Sequence, residues 1–274
     1  MNMPVMVIEP KSRFKLIDFT ELWSYRSLFW QFAKRDVSLR YKQAVMGIAW
    51  AVLQPLLPAI IFAIVFGIFM KAPSDGQPYL LFVFTGMVIW NFFSQVLLRA
   101  GNSLTANANL ITKVYFPRIV IPLASTGAVL FDLLISCVLL GALMLIYNVY
   151  PSWRLIFLPV VILLAFVSSA GISLWFSALN VKYRDFMYAL PFIVQVWLYA
   201  TPIVYSSSVV PQQWQILFSL NPAVGLVEGA RWAVLGGSGL TTCAFAVSVS
   251  TSIFFFVSGL WYFQRMERSF ADVI

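Results

Sequence analysis

The chain has 274 residues, 61% of them hydrophobic and only 10% charged, with a mean hydropathy of +0.87 and a net charge of +8. Soluble domains carry about 25% charged residues, so this composition excludes a soluble globular protein. The absence of histidine excludes histidine-based triads, imidazole metal sites and histidine proton relays. Two cysteines, Cys137 and Cys243, offer neither metal-ligand spacing nor a disulfide framework.

In chain order, the first element is Leu22 to Lys42, the last polar stretch before the first apolar run. At about 100° per residue, Ser24, Ser27, Gln31, Lys34 and Arg35 share one narrow arc, while Leu22, Tyr25, Leu28, Phe29, Trp30, Phe32 and Ala33 fill the rest, with Arg26 on the apolar side. A wide aromatic face with a basic strip describes a helix lying in a membrane interface. The alternative, a core helix of a soluble N-terminal domain, lacks enough chain around it to bury. Asp18 with Glu21 three residues on is a start signal of the capping-box kind. The opening residues are polar and do not follow the pattern of a cleavable signal peptide, so the first span is expected to act as its own insertion signal.

Stretches free of Asp, Glu, Lys and Arg run over 43–70, 78–98, 155–181 and 232–264. A helix crossing the hydrocarbon core needs about 20 apolar residues. The pattern predicts an all-α membrane protein with six transmembrane helices, over 46–70, 79–98, 119–147, 155–179, 187–205 and 242–263. The connecting segments alternate sides, and 15 of the 18 lysines and arginines fall on one of them. The positive-inside rule then puts both termini in the cytoplasm. A net charge confined to the flanks of spans reads as a topology signal, not as a nucleic-acid surface. The expected organisation is a cytoplasmic segment 1–42 followed by a membrane domain 43–274.

Pro55 and Pro58 should kink the first span. Between spans five and six, residues 206–241 are too long for a tight turn and too apolar for a solvated loop. Pro211 to Ser219 and Asn221 to Leu235 each read as a short helix, the second with Asn221 as N-cap and Pro222 at its first position. Such a pair suits a re-entrant hairpin; a loosely attached external loop is the alternative. Glu228 and Arg231 stand three apart on the second short helix, either latching an external gate or solvating a helix end. Asp132 is the one clearly intramembrane ionisable residue, marking a functional site or buried packing, with no cationic partner visible.

Aromatic residues make up 17% of the chain, and Trp50, Phe62, Phe66, Trp90, Phe92, Phe93, Trp175, Phe176, Trp197 and Tyr199 lie inside predicted spans. They face lipid, form interfacial belts, or line a conduit in which flat rings let sugars slide. No GxxxxGK[ST] loop is present, so any ATP must be hydrolysed by another polypeptide.

The run RDVSLRYKQAVMGIAWAVLQP (Arg35 to Pro55) resembles permease subunits of ABC exporters for cell-surface polysaccharides, the O-antigen, capsule and teichoic-acid group. So do NANLITKVYFPRIVIP (Asn107 to Pro122), VKYRDF (Val181 to Phe186), Thr201 to Arg231, and the tail ERSFADVI (Glu267 to Ile274). The resemblance implies a bacterial inner-membrane complex of two permease copies with two nucleotide-binding ATPase subunits. ATP and Mg would be bound by the partner, with no cofactor or metal on this chain and no enzymatic activity of its own. It implies an interface helix over Leu22 to Ala33 and a coupling helix over Lys34 to Lys42, with Lys34, Arg35, Asp36, Arg40 and Lys42 meeting the ATPase. A second contact falls at Lys182, Arg184 and Asp185. Lipid-linked polysaccharide would be admitted beside Arg26 and Trp30, where Arg26 either meets the carrier's diphosphate or snorkels. It would pass a channel lined from among Trp50, Phe62, Phe66, Trp90, Phe93, Trp197 and Tyr199, with Asn221, Pro222, Glu228 and Arg231 forming the external gate. Rival readings are an ATP-independent lipid flippase or secondary transporter, which would call for inverted repeats and coupling charges, or an ABC exporter of teichoic acid, other lipid or drug.

Overall fold

A computed structural model describes residues 19–42, 47–236, 241–267 and 270, with the side chains of Phe19 and Glu21 excepted. Asp18, Arg268 and most of the ERSFADVI tail lie outside the described residues. Among the described residues twelve α-helices follow one another: α1 Phe19–Ser24, α2 Arg26–Tyr41, α3 Ala49–Phe62, α4 Tyr79–Ala106, α5 Ala108–Ile111, α6 Val120–Ala124, α7 Gly127–Ile146, α8 Leu158–Lys182, α9 Phe186–Tyr199, α10 Gln212–Phe218, α11 Pro222–Leu235 and α12 Thr242–Glu267. Among the described residues, five helical stretches are long and apolar enough to cross a membrane: Ala49–Phe69, Tyr79–Ala106, Val120–Ile146, Trp153–Lys182 and Thr242–Glu267.

The helix at the expected fifth span is short. The segment 187–205 is helical only as α9, whose 14 residues cover about 21 Å at 1.5 Å each, less than the roughly 30 Å of a hydrocarbon core. Thr201 precedes Pro202, and a residue before proline is pushed out of the α region, so the chain leaves the helix after Tyr199. The second span departs the other way. It runs through Arg99 to Ala106, because one arginine with helical neighbours does not end a helix. In the first span the chain stays helical past Pro55 and Pro58 and changes to π winding over Ala63–Phe69.

Helix α4 is the hub. It is apolar on every side, which is the pattern of a helix buried all round, and its buried residues run from Leu81 to Leu104. Around it pack α3, α6, α7, α8, α9 and α11. Helices α8 and α12 cross where their backbones touch: a Cβ on Gly259 would stand 2.0 Å from the Gly171 carbonyl oxygen, and one on Gly171 would stand 2.4 Å from the Phe256 Cα. Lipid tails are as apolar as leucine, so membrane helices associate through such close contacts of small residues. Ser168, Ser169, Ser173 and Ser177 on α8 and Ser248 and Ser252 on α12 are all buried.

A second hydrophobic cluster gathers the cytoplasm-facing ends predicted from charge. Leu104, Ile111, Phe116, Val120, Leu174, Val181 and Phe263 are buried there, and Leu22, Tyr25, Leu28, Phe29 and Phe32 of α1 and α2 pack against it. The aromatic face of the first element therefore divides. One stripe meets protein, and Trp23 and Trp30 stay exposed.

Candidate functional site

Two buried charge centres stand at opposite ends of the contacts made by α4. The first is reached from α2. Its helical ladder is unbroken from Arg26 to Tyr41, so the segments expected to divide at Lys34 form one helix, and the break lies at Tyr25. Ala33 seats against Gly127, where an added Cβ would lie 2.9 Å from the Ala33 Cβ; only glycine allows α2 this close to α7. Seven residues on, Arg40 Nη1 lies 2.6 Å from Asp132 Oδ2, each side chain 14% exposed. Arg40 Nη2 donates to Gln54 Oε1 at 3.0 Å, and the Tyr41 hydroxyl donates to Asp132 Oδ1. Burial, reinforced by that carboxylate, pushes the Tyr41 phenol up, so it remains the proton donor. The Tyr41 ring meets Phe131 edge-on at 5.2 Å.

Asp132 is thus paired, contrary to the sequence reading that found it no cation. The partner was hidden because it lies on a helix outside the predicted spans. Arg99 on α4 is half-buried. Its Nε has no acceptor among the described residues, and Arg40 Nη1 and Asp132 Oδ2 are close but not aligned for a hydrogen bond. Sequence reasoning missed Arg99, Tyr41 and Gln54. The position of Arg99 at the edge of a charge-free stretch could have flagged it.

The remaining cations of α2 point outward. Lys34, Arg35 and Lys42 are exposed. Arg35 is held by Asp36 Oδ1 at 3.0 Å and by Asn107 Oδ1 at 3.1 Å. Arg26 is exposed, donating to the Trp23 carbonyl at 3.2 Å beneath its cation–π contact with that ring. Trp30 stands on the same free surface. Between α8 and α9, Lys182, Arg184 and Asp185 are all exposed. The turn that carries them is fixed from behind by Asn180, whose Nδ2 donates to the Gly101 carbonyl at 2.8 Å and to Asn102 Oδ1 at 2.9 Å.

The second centre belongs to α11. Asn221 is its N-cap, accepting from the Ala223 N–H at 3.0 Å, with Pro222 at the first position. The same carboxamide accepts from Trp197 Nε1 at 2.8 Å and donates to the Ala200 carbonyl at 3.1 Å, tying α11 to the end of α9. Every residue of α11 except Trp232 is buried, which overturns the loose external loop as an alternative. Gly225 lets α11 meet α12, since a Cβ there would lie 2.3 Å from the Ser248 Cβ. Gly236 takes the left-handed conformation (φ +75°) that ends the helix, and its carbonyl accepts from Arg154 Nη1 at 2.7 Å.

Glu228 and Arg231 are 3% exposed, so they do not solvate a helix end. Arg231 Nη1 donates to Glu228 Oε1 at 2.8 Å and to the Pro202 carbonyl at 2.6 Å, and Nη2 donates to the Ile203 carbonyl at 2.6 Å. Its Nε reaches the Phe82 carbonyl at 3.3 Å, with the guanidinium 3.6 Å above the Phe82 ring. The carbonyls this arginine caps belong to the non-helical residues that follow α9. Asp75, another residue the sequence did not single out, accepts from Ser206 Oγ at 2.6 Å and secures the same segment to the loop before α4.

The aromatic candidates separate by burial. Trp90 and Phe93 lie in the main core at 4% and 1% exposure, packed together and against Trp197, where a conduit could reach them only by opening that packing. Phe62 and Phe66 are half-buried and edge-to-face at 6.1 Å. Trp50 and Tyr199 are exposed.

Compared with known proteins, residues 27–235 match the family described as ABC-2 type transporter. The chain is similar to the O-antigen export system permease protein RfbA of Klebsiella pneumoniae, 28% identical over 242 residues, which covers 88% of this chain and 92% of the relative. RfbA of Myxococcus xanthus is 27% identical over 209 residues, 76% of this chain and 80% of its own length. The polysialic acid transport protein KpsM of Escherichia coli is 24% identical over 206 residues, 74% and 79% of the two chains.

Proposed function

This chain belongs to the ABC-2 type transporter family, and from that premise we propose that it is the permease subunit of an ATP-driven exporter of O-antigen-like polysaccharide. The observation that carries the reading is similarity over nearly the whole chain to permeases named for O-antigen export. The transporter holds two copies of this chain and two of a separate ATPase, in the bacterial inner membrane with both termini in the cytoplasm. The sixth crossing is made by α9 together with the non-helical residues 200–205. Irregular backbone is tolerated at membrane depth where it is buried in protein, and Arg231 supplies that segment with donors.

The outward cations Lys34, Arg35 and Lys42 on α2 and the exposed Lys182, Arg184 and Asp185 meet the ATPase. Closure of the ATPase on ATP does work on these contacts because they differ between its open and closed states. Exposed Arg26 and Trp30 lie at the membrane surface where a lipid-linked glycan is admitted, the guanidinium suited to a phosphate and the indole to the lipid interface. Trp50, Phe62, Phe66 and Tyr199 keep a free or half-free face toward a channel between the two copies. Asn221, Pro222, Glu228 and Arg231 brace its external end.

The test is reconstitution of the permease with its ATPase in liposomes. Lipid-linked O-antigen should stimulate ATP hydrolysis and become accessible to a lectin on the far side. Neither response to this cargo, with both responses to teichoic acid, another lipid or a drug, would overturn the cargo. Transport without the ATPase would overturn the energy source.

A further inference from the structure

The two surfaces read as ATPase contacts meet behind their exposed charges, at the cytoplasmic end of α4. On the α8–α9 side, Asn180 is 1% exposed and donates from Nδ2 to the Gly101 carbonyl at 2.8 Å and to Asn102 Oδ1 at 2.9 Å. Leu190 of α9 closes on the same point: a Cβ on Gly101 would stand 2.7 Å from its Cδ2. On the α2 side, Arg35 Nη2 donates to Asn107 Oδ1 at 3.1 Å, and Asn107 Nδ2 donates to the Ser103 carbonyl of α4 at 2.8 Å. Between the two lies one hydrophobic cluster, in which Leu104 of α4 and Leu174 and Val181 of α8 are buried, with Leu28, Phe29 and Phe32 of α2 packed against it.

A hydrogen bond from a buried carboxamide to a backbone carbonyl holds one orientation of the elements it joins, because breaking it leaves buried polar groups unpaired. Apolar contacts set how closely the helices approach, and Asn180 sets how the turn carrying Lys182, Arg184 and Asp185 is seated on α4. We propose that α2 and the α8–α9 turn form one rigid body with the cytoplasmic end of α4, and that Asn180 is the positioning residue that keeps the turn in it. Both surfaces then move together when the ATPase closes, and α4 receives a single displacement. From Phe82 to Gly101 α4 is unbroken and covers about 28 Å at 1.5 Å per residue. The displacement therefore arrives at the Phe82 carbonyl and ring, where Arg231 is seated.

The inference rests on the reading that these two surfaces meet an ATPase. Its test places spin labels at Leu39→Cys on α2 and Tyr188→Cys on α9, both exposed, in a Cys137→Ala, Cys243→Ala background of the full permease–ATPase complex in liposomes. The distance between the labels should stay the same on ATP binding. Asn180→Ala should make that distance ATP-dependent and lower transport per ATP about tenfold, at an unaltered amount of assembled complex. Asn102→Asp, which keeps an acceptor for Asn180, should leave both readouts unchanged. Asn102→Leu, which removes the acceptor, should reproduce part of the Asn180→Ala defect.

A label distance that already changes in the otherwise unaltered complex overturns the single body. So does a distance that stays constant in Asn180→Ala, or a transport loss that follows complex yield alone and is the same in Asn102→Asp as in Asn102→Leu. Retention of the ATPase by a permease carrying Lys182→Glu and Arg184→Glu overturns the contact reading instead, and the coupling role of Asn180 falls with it. If the label distances respond as expected while no glycan crosses, the cargo reading fails and the single body stands.

Discussion

The two buried charge centres use the same chemistry to opposite ends. At Arg231 each guanidinium nitrogen has an acceptor: the Glu228 carboxylate on α11, the Phe82 carbonyl on α4, and the Pro202 and Ile203 carbonyls after α9. At Asp132 one carboxylate meets Arg40 at 2.6 Å, and Arg40 Nη1 and Asp132 Oδ2 are left without aligned hydrogen-bond partners. A fully satisfied polar network in a low-dielectric interior rigidifies what it joins, whereas a partly satisfied one does not. The lesson is that burial of a charge pair does not by itself say whether the site is a brace or a joint. The accounting of donors and acceptors does.

The largest effect should come from breaking the brace. Arg231→Leu leaves Glu228 buried without its cation and the carbonyls of Pro202 and Ile203 without donors. It should cost about 3–5 kcal/mol, read as a lowered unfolding midpoint in detergent. Exchanging the charges, Glu228→Arg with Arg231→Glu, should recover little of that loss, because a carboxylate at 231 cannot donate to the carbonyls. Recovery to the wild-type midpoint would show the ion pair, and not the capping, to be what holds the segment.

The joint should be more tolerant. Asp132→Asn keeps the size and hydrogen-bonding capacity of the side chain, so it should lower stability by about 1–2 kcal/mol in the same measurement; a loss equal to that of Arg231→Leu would erase the distinction between the centres. The smallest expected effect is that of Tyr41→Phe, which removes one hydrogen bond while keeping the ring on Phe131, at about 0.5–1.5 kcal/mol.

What the sequence disclosed follows the range of the interactions concerned. Helix α11 was readable to the residue at its start, since Asn221 and Pro222 act on their own backbone. Uncharged runs revealed the long spans because the bilayer imposes a length and a polarity together. The end of α9 was locally encoded by Thr201 and Pro202 but was overridden by hydropathy, which does not register where a helix stops. The Asp132 centre could not be read this way: Tyr41 and Asp132 are 91 residues apart, and periodicity says which side of a helix is apolar but not what meets it. The same gap explains Trp90 and Phe93. On a helix that is apolar all round, sequence offers no means of telling a core-facing ring from a lipid-facing or channel-facing one.

The crossing of α8 and α12 bears on how the chain is made. Gly171 leaves a slot on α8 that α12 fills, and among the described helices α12 is the last to be synthesised. Until Thr242–Glu267 has been synthesised, the backbone at Gly171 is without the packing partner it meets in the folded chain. A chain truncated before Thr242 would leave that slot open. The arrival of α12 is therefore the step at which the α8 backbone becomes covered.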